Sequence, residues 1–230
     1  YYQREYRWDT KQVQELIEDL YEKFSENHKE GTDTNEVRTY PHYFLGSIII
    51  CEKEGRKKYI IDGQQRLTTL TLLLIYIYQN VNHGNLKNSL TNLIYSDDFG
   101  EKKFNIDVDE RIECMNSIYN NTAFDETGAP ESVKNLIKRF TDIQDLVSGE
   151  ISEENLPHFA YWLIGCVDLV TITTSSDEDA YTIFETMNDR GLSITPTDML
   201  KGYLLANIRE EEHRNKANDN WKKRIDDLKK

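Results

Sequence analysis

The chain has 230 residues, 41 acidic against 28 basic side chains, a formal net charge of -13 and a pI of about 4.9. That length supports one large domain or two small packed ones, and 38% hydrophobic with 30% charged residues excludes a disordered chain. A surface this acidic repels a phosphate backbone, which excludes non-specific nucleic-acid binding over the whole molecule and leaves a local basic groove as the route to DNA.

Asp9 is the expected N-cap of a first helix, with Gln12 closing a capping box and Val13, Leu16, Ile17, Leu20 and Phe24 on one face. Residues 27–39 are polar and loop-like. "YFLGSIII" (43–50) and "KYIID" (58–62) are β-rich and flank a turn around Gly55, which predicts a β-hairpin. A helix over 67–78 follows. It is apolar almost all round, so it should be buried on several sides. Further helices are expected over 86–95, 109–119, 130–147 and 153–166, a strand over 167–174, and a helix over 177–188 after Ser176. A last helix should start at Pro196, capped by Thr195 with Asp198 at its third position, and run through Ile208. The fold class is α+β: a small sheet with a hairpin and a buried helix, then a mainly helical region, with one strand returning late.

Cys51, Cys114 and Cys166 are far apart and odd in number, so they read as free thiols without a structural zinc site. "YYQREYRWD" has no signal-peptide core, and 67–78 falls short of a membrane span. The cytoplasm is the default expectation. Both ends look cut: Tyr1 opens inside a motif and "NWKKRIDDLKK" stops within an amphipathic pattern, which predicts a fragment of a longer protein.

The segment Asp62-Gly63-Gln64-Gln65-Arg66 sits where a strand meets the apolar helix. One reading is purely local, with Asp62-x-x-Gln65 as a second capping box. Arg66 argues for more. A cation in the first helical turn opposes the macrodipole; it is explained if an anion sits there, met by free backbone N–H groups and a guanidinium. Gly63 permits close backbone approach. Gln64 and Gln65 can orient a water or contact a base or ribose, and Thr68 and Thr69 add hydroxyls one turn in. No P-loop pattern is present. Elsewhere, Gln3 and Arg4 in "YQREYRW" could meet a base and a phosphate, while Tyr6 and Trp8 could simply staple the first helix. In "NDRGLSITPTDMLK", Asn188, Gly191 and Pro196 make a connector; Arg190 and Lys201 are left over as possible phosphate or DNA contacts. "EGRKK" (54–58) reads as a solvated hairpin tip. The acidic clusters at 97–98, 107–110 and 177–179 read as helix starts, and the five histidines have no catalytic or metal spacing. Asp98 with Glu101-x-Lys103 resembles a metal-dependent nuclease motif only weakly.

"YQREYRW", "YFLGSI", "IIDGQQRLTTL" and "FETMNDRGLSITPTDMLKGYL" occur here in the order seen in the GmrSD-type restriction-endonuclease N-terminal domain family, which itself resembles the ParB/sulfiredoxin nucleotide-binding fold. The resemblance implies a domain that binds and hydrolyses a nucleoside triphosphate, with Asp62, Gly63, Gln64, Gln65 and Arg66 as its signature, favours function for Gln3 and Arg4, and implies restriction of foreign, often modified, DNA. It further implies an HNH-type nuclease domain C-terminal to this one; the sequence ends before any such domain, so cleavage by this piece is not expected.

The resulting expectation is a nucleotide-binding core over 1–84, a helical region over 85–166 and a returning strand with C-terminal helices over 167–230. Asp62, Gln64 and Gln65 are the candidate catalytic residues; Gln3, Arg4, Gly63, Arg66, Thr68 and Thr69 the candidate nucleotide ligands. Mg²⁺ is expected from phosphate chemistry, with no protein metal cluster. The alternative is a non-hydrolysing DNA-binding or protein-interaction scaffold.

Overall fold

Helix α1, Thr10–Ser25, starts as its sequence requires: Asp9 accepts from the backbone at positions 11 and 12, and Gln12 reaches back to the Asp9 N–H. Its buried face is Val13, Leu16, Ile17, Leu20 and Phe24. The computed structural model describes residues 5–53, 58–98, 100–188, 204, 208 and 210–228. It is a mixed α+β fold, mainly helical, with one sheet of three strands and one of two among the described residues.

Two compact units are drawn from interleaved stretches of chain. The larger, helical unit comprises Glu5–Gly46 and Gln64–Val170. Beside α1 it holds α2 (Gln64–Asn80), α3 (Gly84–Ile94), α4 (Ile112–Tyr119), α5 (Glu131–Glu150) and α6 (Leu156–Cys166). Helix α5 packs on α1, α2 and α4. The core centres on Leu72, Leu73, Ile75, Phe24, Phe159 and Trp162. Two of the three threonines of α2 turn their hydroxyls on the helix itself, Thr69 to the Gln65 carbonyl at 3.0 Å and Thr71 to that of Leu67 at 2.9 Å. This is how a helix apolar on nearly every side carries hydroxyls into a core.

The smaller unit comprises Ser47–Gly63 and the chain from Thr171 onward. Strand β1 (Tyr43–Glu52) pairs antiparallel with β2 (Lys58–Asp62), matching Ile49 to Asp62 and Ile50 to Ile60 across a local irregularity. The sheet order is β2-β1-β5, with β5 at Val167–Thr174. His42 meets Asp168 at 2.9 Å beside the start of both strands, and Cys51 meets Asp177 at 3.4 Å beyond the end of β5, so β5 runs parallel to β1. Helix α7 (Asp177–Asn188) covers β2, burying Ala180 and Phe184 on Ile49 and Ile61. Helix α8 spans Glu211–Leu228.

The stretch after α3 differs from expectation. The helix expected to reach Tyr95 stops at Ile94, and β3 (Tyr95–Asp98) and β4 (Glu101–Phe104) form a small hairpin. Asp97 and Asp98 are therefore strand residues, not a helix start. The Tyr95 and Phe104 rings, 4.3 Å apart, bury each other across the ladder, which a longer helix would not allow. The three cysteines are free and buried. The last expected helix, with its Thr195–Asp198 cap, lies outside the described residues.

Candidate functional site

Strand β2 ends at Asp62 and α2 begins at Gln64, so a single residue must turn the chain. Gly63 does it at φ 89°, and a Cβ there would stand 2.5 Å from Ile48 Cγ2. An L side chain there is strained by both the backbone angle and the contact.

This turn corrects the capping-box reading of Asp62-x-x-Gln65. Asp62 is still in the strand, paired with Ile49. Gln65 looks elsewhere: its Oε1 accepts from the backbone N–H groups of Arg7 (2.7 Å) and Trp8 (3.2 Å), and its Nε2 donates to the Glu5 carbonyl at 2.8 Å. One side chain thus satisfies three main-chain groups of the "YQREYRW" segment. Helix α5 supplies the rest: Asn135 donates to the Tyr6 carbonyl at 3.1 Å, and Arg139 to the Trp8 carbonyl at 3.3 Å and the Thr10 hydroxyl at 3.0 Å. Tyr6 is fully buried. Because Thr69 gives its only proton to the Gln65 carbonyl, Tyr6 must donate to Thr69, at 2.8 Å. Burial pushes the Tyr6 phenol up to about 12, which keeps that donor protonated.

Arg66 is placed by a second glycine. Gly46 of "YFLGSI" has φ 126°, and a Cβ there would lie 2.8 Å from Arg66 Nη1 and 3.2 Å from its Cζ. The guanidinium therefore rests against bare strand backbone. It is close enough to help hold down the Tyr43 phenol, which burial otherwise raises. The first turn of α2 contains no acidic residue. Gln64 is buried in that turn, and Thr68, only 3% exposed, has a hydroxyl with no hydrogen-bond partner.

The structure thus gathers Gln64, Gln65, Arg66, Thr68 and Thr69 on the first turns of α2, with Asp62 and Gly63 leading into them along the chain. Thr69 is closed off by Tyr6. Gln3, Arg4, Arg190 and Lys201 lie outside the described residues, as does most of "EGRKK". Sequence reading missed Gly46, Asn135 and Arg139. Gly46 carried a signal, since a glycine inside a strand marks close approach of another group; Asn135 and Arg139 carried none, lying on an ordinary helical face. Buried Arg111, whose guanidinium desolvation pulls below its ordinary value, was also missed. Among the described residues no three His, Cys, Asp or Glu side chains converge as a metal site.

Residues 1–205 match the family described as the GmrSD restriction endonuclease, N-terminal domain. The chain belongs to this family. All four motifs of the GmrSD resemblance, the two glycine cradles and the residues pinned by Gln65 fall within the matched stretch, and membership ties the chain to restriction systems. No curated protein matches it. No helix among the described residues of this GmrSD-type domain is long and apolar enough to cross a membrane.

Proposed function

We propose that this GmrSD-type domain binds and hydrolyses a nucleoside triphosphate at the head of α2 and couples that event to engagement of foreign or modified DNA. The observation that carries the reading is the Arg66 guanidinium, laid on the bare backbone of Gly46 in a first helical turn that holds no acid. A helix start leaves backbone N–H groups without intrahelical partners, and these with the dipole and Arg66 suit a phosphate. The unpartnered Thr68 hydroxyl one turn in adds a further group. Gln64 is assigned to orienting the attacking water. Gln65 acts through the segment it holds, which leads back to Gln3 and Arg4. Asp62 helps orient the loop or hold a divalent ion. Mg²⁺ would neutralise phosphate charge, held by the phosphates and one carboxylate at most.

Residues 1–84 would form the nucleotide-binding core, resembling the ParB/sulfiredoxin fold, in a cytoplasmic protein. An HNH-type nuclease domain, in the same or a partner chain, would cut the DNA. The rival reading is a scaffold that holds no nucleotide; a closed Asp62–Gln65 box would favour it, and Gln65 instead bonds the backbone of Glu5, Arg7 and Trp8.

The test is calorimetric titration with each nucleoside triphosphate, with and without Mg²⁺, beside a phosphate-release assay. Arg66→Ala should weaken binding more than about tenfold, and Gln64→Ala should keep affinity while losing turnover. A folded chain that binds no triphosphate, or an Arg66→Ala variant with unchanged affinity, overturns the reading.

A further inference from the structure

Residues 5–8 belong to no helix or strand, yet five of their main-chain groups are bonded by side chains. Gln65, in the first turn of α2, takes three: the N–H groups of Arg7 and Trp8 and the carbonyl of Glu5. Helix α5 takes the other two, Asn135 donating to the Tyr6 carbonyl and Arg139 to the Trp8 carbonyl. Positions 135 and 139 stand one turn apart, on one face of α5. Side chains of two helices thus hold one irregular segment in place of a backbone ladder. Arg139 acts there as a fork rather than a free charge. Its side chain is 11% exposed; Nε donates to the Asp142 carboxylate, Nη1 to the Trp8 carbonyl and Nη2 to the Thr10 hydroxyl. A lysine has no planar fork with which to reach all three.

We propose that Asn135 and Arg139 are positioning residues for the triphosphate site: through residues 5–8 they fix the Gln65 side chain, and with it the turn of α2 that carries Gln64 and Arg66. This rests on the site proposed above and names the support behind it. Gln65 lies between Gln64 and Arg66 in the chain, so whatever holds its side chain restrains the backbone of both. Once the segment loosens, Gln65 loses three fixed partners and its turn gains freedom. Orientation of the attacking water suffers first, because a displacement of about 1 Å can lower a rate a hundredfold. Attraction between a guanidinium and a phosphate falls off only gently with distance.

Wild type, Asn135→Ala, Arg139→Lys, Gln65→Ala and the double variant Gln65→Ala/Asn135→Ala are titrated with ATP, GTP, CTP and UTP in Mg²⁺ and assayed for phosphate release. The temperature is set where thermal melts show each protein folded. Asn135→Ala and Arg139→Lys should lower turnover about tenfold to a hundredfold while keeping triphosphate affinity within about threefold. Arg139→Lys keeps the charge, so its loss assigns the role to the fork. The double variant should turn over no more slowly than Gln65→Ala, because both changes act through the same segment. Unchanged turnover per folded molecule in both α5 variants, a loss of affinity alone, or a double variant whose losses multiply overturns the positioning role and leaves the triphosphate site standing. A folded wild type that hydrolyses none of the four triphosphates overturns both.

Discussion

The starts of α1 and α2 carry the same Asp-x-x-Gln pattern and use it differently. At α1 the aspartate directly precedes the first helical residue, and the box closes on itself. At α2 one more residue intervenes: Gly63, at φ 89°, ends the strand and turns the chain. Asp62 is thereby one residue too early to cap. Gln65 is released from local duty and spends its amide on the backbone of residues 5, 7 and 8. A box satisfies donors of its own helix. Leaving it open gives α2 what α1 lacks, a side chain that pins a distant segment.

Replacing the turn residue should break this difference most severely. Gly63→Ala adds a Cβ 2.5 Å from Ile48 Cγ2 at a left-handed φ, for a combined loss of about 3 kcal/mol in denaturant melts. A loss below about 1 kcal/mol would mean that α2 can begin one residue earlier, as α1 does.

Alkaline titration probes the burial of Tyr6, whose phenol meets Thr69 at the start of α2. The fold raises the Tyr6 phenol from 10.0 to about 12. The protonated form is the favoured one, so its contribution is complete below pH 10 and lost as pH rises through the folded value. The shift corresponds to about 2–3 kcal/mol. Tyr6→Phe should flatten the stability decline between pH 10 and 12; an unchanged slope would assign the decline to other tyrosines.

The two glutamines offer a direct contrast. Gln65→Ala strands three backbone groups and should cost about 2 kcal/mol, while Gln12→Ala removes one exposed bond and should cost about 0.5 kcal/mol. Equal melting temperatures for the two variants would contradict their different roles. The aspartates should show the smallest contrast, in the reverse direction: about 1 kcal/mol for Asp9→Ala, as for other caps, and less than about 0.5 kcal/mol for Asp62→Ala. Matching losses would mean that Asp62 caps after all.

Much of the fold is legible along the chain because its signals are local. The apolar face of α1, the strands at 43–50 and 58–62, and the returning strand at 167–174 follow from periods of 3.6 and 2. The β3–β4 hairpin was missed because "LIYSDDFGEKKF" continues a helical pattern up to Ile94, and only the cross-strand meeting of Tyr95 with Phe104 makes a strand preferable. Arg66 was legible as an anomaly, a cation at the wrong end of a helix. Gly46 could be marked as a place of close approach, but not as the partner of Arg66, since nothing in the numbering brings residue 46 to residue 66.

By itself, the sequence determined the class of the fold, the capped start of α1, the family motifs and the oddity of Arg66. Each depends on residues within a turn or two of one another. Only the tertiary structure decided which of two identical patterns closes as a cap, that Gln65 serves residues 58 and 60 positions away, and that two glycines exist to admit Arg66 and Ile48. Those outcomes depend on which backbone groups are brought within reach of Gln65 once the chain is packed, and several main-chain partners together outweigh a single local cap.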